Sequence, residues 1–267
     1  RRQAEIQASK AKIAAAGKLT DKQISEINRV ASGDTYAAKT NFTCTWGDCE
    51  LGKPDSKIKI LLLGDSHALM YHSTLDALSR TGKDIYVRSF TSAQCANFSG
   101  SRSLDRSLDS STQNACLEMH RKVLAHVSNL RAYYDLIILS DYLHFDPKYY
   151  VQDATSYANQ VKLSGKKTII LGQAPVSRDL SVCLNKDYSN YRECSGKRPS
   201  SLHDYLVAKG AQVAYGDLGS LFCIENYCPL IVGDSPMTAR GHITDSAGVQ
   251  ISPYFLEFLD SAKVPPK

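Results

Sequence analysis

Lys57-Ile-Lys-Ile-Leu-Leu-Leu63, followed at once by Gly64-Asp65-Ser66-His67, decides how this chain is read. A short, nearly continuous apolar run fits a strand buried on both faces, as in a parallel sheet sandwiched between helices. The Gly-Asp-Ser-His segment reads as a sharp turn. Residues 68–80 then carry apolar side chains at helical spacing and stop at Thr81-Gly82. Working outward, further strands are expected at 84–90, 135–139, 167–171 and 212–215, and further helices at 116–130, 149–163, 201–209 and 247–262. Short strands alternating with helices of ten to fifteen residues imply βαβ units. The expected fold is α/β, a three-layer α/β/α sandwich around a parallel sheet. Upstream, residues 1–31 read as one or two amphipathic helices broken at Gly17. Residues 32–56 are polar and turn-rich and hold the only tryptophan, Trp46. The expected organisation is an N-terminal helical linker over 1–56 and the α/β domain over 57–267.

The chain has 267 residues, 43% apolar and 22% charged, which is ordinary for a globular protein with a sizeable core. No apolar run approaches the roughly 18 residues of a membrane span. The opening Arg-Arg-Gln-Ala-Glu is not a secretory leader, so any targeting signal is expected upstream of this segment. The net charge is +5, and residues 1–22 supply +4 of it with six basic and two acidic side chains. The remaining 26 basic and 25 acidic residues nearly cancel, which argues against a nucleic-acid partner, since that needs a basic face. The basic N-terminal segment suits an anionic membrane surface or, equally, a solvated helix face.

Eight cysteines fall as sequence neighbours, without the C-x2-C spacing or paired histidines of common zinc sites. An even number in loop-like segments reads as disulfides, hence periplasm or cell exterior, with no metal. Eight cysteines permit 105 connectivities; the expected one joins neighbours, Cys44–Cys49, Cys95–Cys116, Cys183–Cys194 and Cys223–Cys228.

Ser66 stands where a buried strand gives way to a helix, the edge at which open α/β sheets place their ligands. Amides at a helix start favour the negative charge that develops during acyl transfer. The same position also suits a serine that merely caps the helix.

Gly64-Asp65-Ser66-His67 after an apolar strand resembles the GDS block of the SGNH (GDSL-like) hydrolases, whose fold is flavodoxin-like. The histidine directly after the serine is typical of the branch fused behind a membrane acyltransferase of the acyltransferase-3 family, as in bacterial O-antigen O-acetyltransferases. Ser92-Ala-Gln-Cys95 resembles that branch's Ser/Cys-rich loop. Ile169-Ile-Leu-Gly-Gln-Ala-Pro175 is similar to its strand ending in a Gly-Gln-x-Pro turn, and Gly241-His242-Ile243-Thr244 before Ala247-Gly248 to its C-terminal His block. The similarity covers roughly residues 57–262.

The resemblance implies that Ser66 is the nucleophile and His242 the general base. It places packing or hydrogen-bonding roles on His67, His72 and His144, with His67 near enough to support the site. It also exposes two departures. The family expects an aspartate three residues before the catalytic histidine, where this chain has Ala239; losing that acid costs about 10⁴-fold in the Ser-His-Asp template. Asp234 or Asp245 is the nearest substitute, a Ser–His dyad helped by a backbone carbonyl is a second reading, and an inactivating change is a third. For the oxyanion hole, the Ser66 amide is expected as one donor, with the amides of Ser92 to Cys95 and, more weakly, Asn97 in place of the family's Gly and Asn. Asp141 reads as a solvated loop residue.

The implied function is O-acyl transfer, in particular acetyl transfer, to a hydroxyl of a bacterial surface polysaccharide. The resemblance implies a periplasmic position tethered to the inner membrane, a membrane acyltransferase domain in the same full-length chain as partner, and no bound cofactor beyond an acyl donor derived from acetyl-CoA. A carbohydrate O-acetyl esterase and a non-catalytic glycan-binding module are the alternatives. A flavodoxin-like binding protein is a further one, though no Gly-rich phosphate loop is present.

Overall fold

The computed structural model of the chain describes residues 1–31, 40–95, 108–142, 147–175 and 195–266. Two N-terminal helices, α1 (Arg2–Ala16) and α2 (Asp21–Ala31), are separated by Gly17, whose φ of 65° ends the first. Strands β1 (Gly47–Leu51), β2 (Ile58–Gly64), β3 (Ile85–Thr91), β4 (Tyr134–Ser140), β5 (Gly165–Leu171) and β7 (Ala214–Gly216) form one six-stranded sheet; β6 (Ser195–Lys197) lies outside it. The order is β1-β3-β2-β4-β5-β7, parallel throughout except for β1, which runs antiparallel to β3. Among the parallel strands the order is second-first-third-fourth-fifth, the doubly wound arrangement of flavodoxin-like proteins.

The alternation of a strand sends successive side chains to opposite faces, and the two cores follow from it. Ile60 and Leu62 of β2, Leu136 and Ile138 of β4, and Ile169 and Leu171 of β5 face one layer. That layer contains α4 (His72–Arg80) and the C-terminal helix Asp245–Ser261, through Tyr71, Leu75, Ile251 and Phe255. Leu61, Leu63, Ile137, Leu139 and Ile170 face the other, against α5 (Ser110–Val127), α6 (Pro147–Val161) and α7 (Leu202–Ala211). Both faces are therefore covered, as the apolar run of β2 predicts.

Three features differ from the sequence reading. Residues 47–51, read as part of a turn-rich stretch, form the antiparallel edge strand β1, so the sheet is mixed rather than purely parallel. Its Asp48 and Glu50 carry no strand-like pattern because both pair with Arg88 of β3; charge is a common device at a sheet edge. The helix expected over 68–80 breaks into a single turn, α3 (Ser66–Leu69), and α4. The helices α1 and α2 are not a detached linker. Ile6 enters the main core, and Ile13, Leu19, Ile27 and Val30 form a second cluster with Leu230 and Ile231.

Disulfides join Cys44–Cys49, Cys95–Cys116 and Cys223–Cys228, with Cα separations of 5.3, 5.5 and 4.0 Å, so every described cysteine is paired with its neighbour. The expected Cys183–Cys194 bridge lies outside the described residues, as do His144 and Asn97.

Candidate active site

Ser66 begins α3 at the carboxyl end of β2, between β3 and β4, which is the switch point of the sheet. Gly64 makes the turn possible. Its φ is +151°, and a Cβ there would stand 1.8 Å from the Ser140 carbonyl oxygen and 2.8 Å from the Ala68 Cβ. Only a glycine lets β2 approach β4 this closely.

Asp65 then knots the turn together. Its carboxylate accepts from the backbone N–H of His67 at 2.7 Å and of Tyr142 at 3.0 Å, while its own N–H donates to Asp141 Oδ1 at 2.8 Å. Asp141 is thus a buried tie between β2 and β4 rather than the solvated loop residue that its place after a strand suggests. Burial pushes Asp65 up to about 7, against the pull of the N–H groups it accepts from. A third buried acid, Asp204, lies behind them. It accepts from Tyr150 Oη at 3.1 Å and Gln173 Nε2 at 3.1 Å, and Gln173 Nε2 also donates to the Asp141 carbonyl at 2.7 Å. Burial raises Asp204 to about 7 as well.

With α3 only one turn long, the field of a long helix is not what acts on Ser66. The local donor is: the Ser66 N–H has no hydrogen-bond partner among the described residues, whereas the next three amides bond to Asp65. The other expected donors are differently placed. The Ser92 N–H donates to the Gly64 carbonyl at 3.3 Å and the Cys95 N–H to the Ser92 carbonyl at 3.4 Å, which closes a turn with Gln94 at φ 57°.

His242 arrives from the far end of the chain. Strands Thr238–Ala239 and His242–Ile243 form a minimal hairpin in which Ala239 pairs with His242. Its two turn residues, Arg240 and Gly241, have φ of 49° and 80°, the signature of a two-residue type I′ turn. The hairpin is followed by the Thr244 cap of the C-terminal helix, whose hydroxyl accepts from the Ala247 N–H at 3.1 Å. Gly248 lets that helix close on α4, since a Cβ there would lie 2.2 Å from Ser73 Oγ. The result is a 2.7 Å hydrogen bond between His242 Nε2 and Ser66 Oγ, across 176 residues of sequence. His242 Nδ1 is 3.1 Å from the Arg240 carbonyl oxygen.

The two acids nominated to replace the missing aspartate are committed elsewhere. Asp234 pairs with Lys22 at 2.6 Å, and Asp245 with Arg29 at 2.6 and 3.1 Å. Ala239, partly buried, packs against the apolar cluster of Ile13, Leu19, Ile27, Val30, Leu230 and Ile231. His67 is buried, its ring 4.9 Å from that of Tyr142 and 4.7 Å from that of His242, so it backs the imidazole. His72 bonds Ser89 Oγ at 2.7 Å and stacks on Phe42; burial pushes it down to about 3, so it is a neutral core residue.

Sheet order, helices on both faces and a hydrogen-bonded serine–histidine pair at the switch point define a flavodoxin-like α/β/α domain carrying a GDS-type site. The chain belongs to the family described as SGNH domain (fused to AT3 domains), which matches residues 33–257. Its fold is similar to that of the lipopolysaccharide acetyltransferase periplasmic domain of Salmonella ser. Paratyphi A. That likeness has a TM-score of 0.55 at 14% identity and covers 77% of this chain and 85% of that one. No curated protein matches the chain.

Proposed function

We propose that this domain transfers an O-acyl group, specifically acetyl, to a hydroxyl of a surface polysaccharide. The observation that carries the reading is the 2.7 Å contact between Ser66 Oγ and His242 Nε2. Ser66 Oγ attacks the acyl carbonyl while His242 takes its proton, and the Ser66 N–H donates to the developing oxyanion. The leaving group departs with the proton from His242, leaving an acyl-serine. An acceptor hydroxyl then gives its proton to His242, attacks the acyl carbon and releases Ser66, which recovers the proton.

The Arg240 carbonyl holds Nδ1 protonated and so leaves Nε2 as the base, doing by a backbone acceptor what the triad aspartate does elsewhere. A carbonyl orients the ring without the full stabilisation that a carboxylate gives an imidazolium, so slow turnover is expected. In this reading a membrane acyltransferase domain in the same chain hands over an acyl group derived from acetyl-CoA. The family's fusion to AT3 domains supports that partner, and the three disulfides support a periplasmic position.

A serine-reactive fluorophosphonate tests the site: it labels Ser66 in the native chain and loses that label in His242→Ala. Absence of labelling at Ser66 in folded protein overturns the reading. Supplying a soluble acyl ester with a polysaccharide acceptor separates transfer from hydrolysis by whether acetyl appears on sugar or as free acetate.

A further inference from the structure

Trp46 is the only tryptophan of the chain, and it is 37% exposed. Among the described residues neither its ring nor its indole N–H has a partner. An apolar side chain left in water on a floppy loop needs no explanation, but this loop is held rigid. Cys44-Thr-Trp-Gly-Asp-Cys49 is closed by a disulfide. Just outside it, the Thr43 N–H donates to the Glu50 carbonyl and the Glu50 N–H to Thr43 Oγ1, both at 2.9 Å. Gly47, at φ +96°, turns the chain immediately after the tryptophan.

The register places this clamped indole on the catalytic edge. Gly47 pairs with Thr91 of β3, and Thr91 pairs with Gly64 of β2. Because β1 runs antiparallel, its first residue lies level with the carboxyl ends of β2 and β3. Trp46 therefore stands beyond the same edge of the sheet as Ser66, two strand spacings away, or roughly 10 Å. The nearest charges on β1 and β3 are Asp48, Glu50 and Arg88; Arg88 pairs with both acids, which leaves a net negative charge of one.

The geometry points to Trp46 as a stacking platform for a neutral sugar ring of the acceptor glycan, one or two residues along from the hydroxyl presented to Ser66. A rigid indole face receives the C–H face of a pyranose without an ordering cost, and its N–H can donate to a sugar hydroxyl. The local negative charge disfavours an acidic glycan. This inference rests on the acyl-transfer reading for the identity of its ligand.

With a single tryptophan, intrinsic fluorescence of the whole chain reports this site alone. The probes are neutral polysaccharide released by mild acid from the envelope of the organism that makes the chain, and hyaluronan oligosaccharides as acidic comparator. The expected result is a saturable emission change with the neutral glycan, none with hyaluronan, and persistence of the change in Ser66→Ala. By calorimetry, Trp46→Ala weakens binding at least about tenfold, Trp46→Phe less, and Leu163→Ala, an exposed apolar residue at the opposite edge of the sheet, not at all. Unchanged emission, or equal binding by Trp46→Ala, overturns the inference. Ser66-dependent p-nitrophenyl acetate hydrolysis, measured beside it, fails only if the acyl-transfer reading itself is wrong.

Discussion

Ala239 stands directly across from His242 in the two-residue hairpin that carries the imidazole to Ser66. The position at which the resemblance leads to the expectation of an orienting acid thus faces the histidine across the hairpin, and Ala239 there packs, partly buried, against an apolar cluster that α1 and α2 share with Leu230 and Ile231. The carbonyl of Arg240, inside the same turn, sits at Nδ1 instead. On the proposed acyl-transfer reading, this carbonyl orients the imidazole in place of a side-chain acid.

An Asp at this partly buried site would place a carboxylate beside the apolar cluster of Ile13, Leu19, Ile27, Val30, Leu230 and Ile231. Ala239→Asp is expected to destabilise the fold by about 1–3 kcal/mol and to leave p-nitrophenyl acetate turnover no higher than in the native chain. Urea denaturation and steady-state kinetics check both. A gain of a hundredfold or more would show instead that a carboxylate at position 239 reaches the imidazole and completes a triad.

Asp204 gives a pH dependence whose sign is fixed by burial. Its folded-state carboxyl titrates at about 7, well above the roughly 3.9 of an unfolded aspartate. Between those values the folded state binds more protons than the unfolded one, so this group makes stability fall as pH rises from about 4 to about 7. Asp204→Asn keeps an acceptor for Gln173 Nε2, reverses the Tyr150 contact so that the new amide donates to Tyr150 Oη, and removes the charge. It is expected to be more stable than the native chain at pH 8, by about 2–4 kcal/mol, and equal to it at pH 4. Chemical denaturation at the two pH values measures this. A stability difference that is the same at both would place the ionisation elsewhere.

Gly64→Ala tests the turn itself. The added methyl meets the Ser140 carbonyl at 1.8 Å, so β2 and β4 must separate at the point where Asp65 and Asp141 join them. A loss of about 3 kcal/mol or more is expected, with a parallel loss of fluorophosphonate labelling at Ser66. Native stability in this variant would mean that the close approach does not matter.

How much of this was legible in the sequence differs residue by residue. The strand β2 and the turn at Ser66 are plain, because a strand buried on both faces leaves a continuous apolar run and glycine marks the tight approach. His242 has no comparable local signal: its strands are two residues long, too short for any periodicity, so only the family resemblance singles it out. The strand β1 is hidden by Asp48 and Glu50, which make sense only once Arg88 is beside them. Asp234 and Asp245 are near His242 in sequence, but their carboxylates answer to Lys22 and Arg29, over 200 residues away. The burial of Asp65, Asp141 and Asp204 together is hidden for the same reason, and Asp141 reads as solvated, because three acids far apart in sequence meet only in the folded chain.

The most direct measurement is p-nitrophenyl acetate hydrolysis by the native chain beside Ser66→Ala, with folding of both verified by circular dichroism. The account predicts slow but measurable turnover that falls to the buffer rate in Ser66→Ala, because the nucleophile poised by His242 is gone. Equal turnover in the two proteins would contradict it, and the Ser66–His242 contact would then be a structural hydrogen bond.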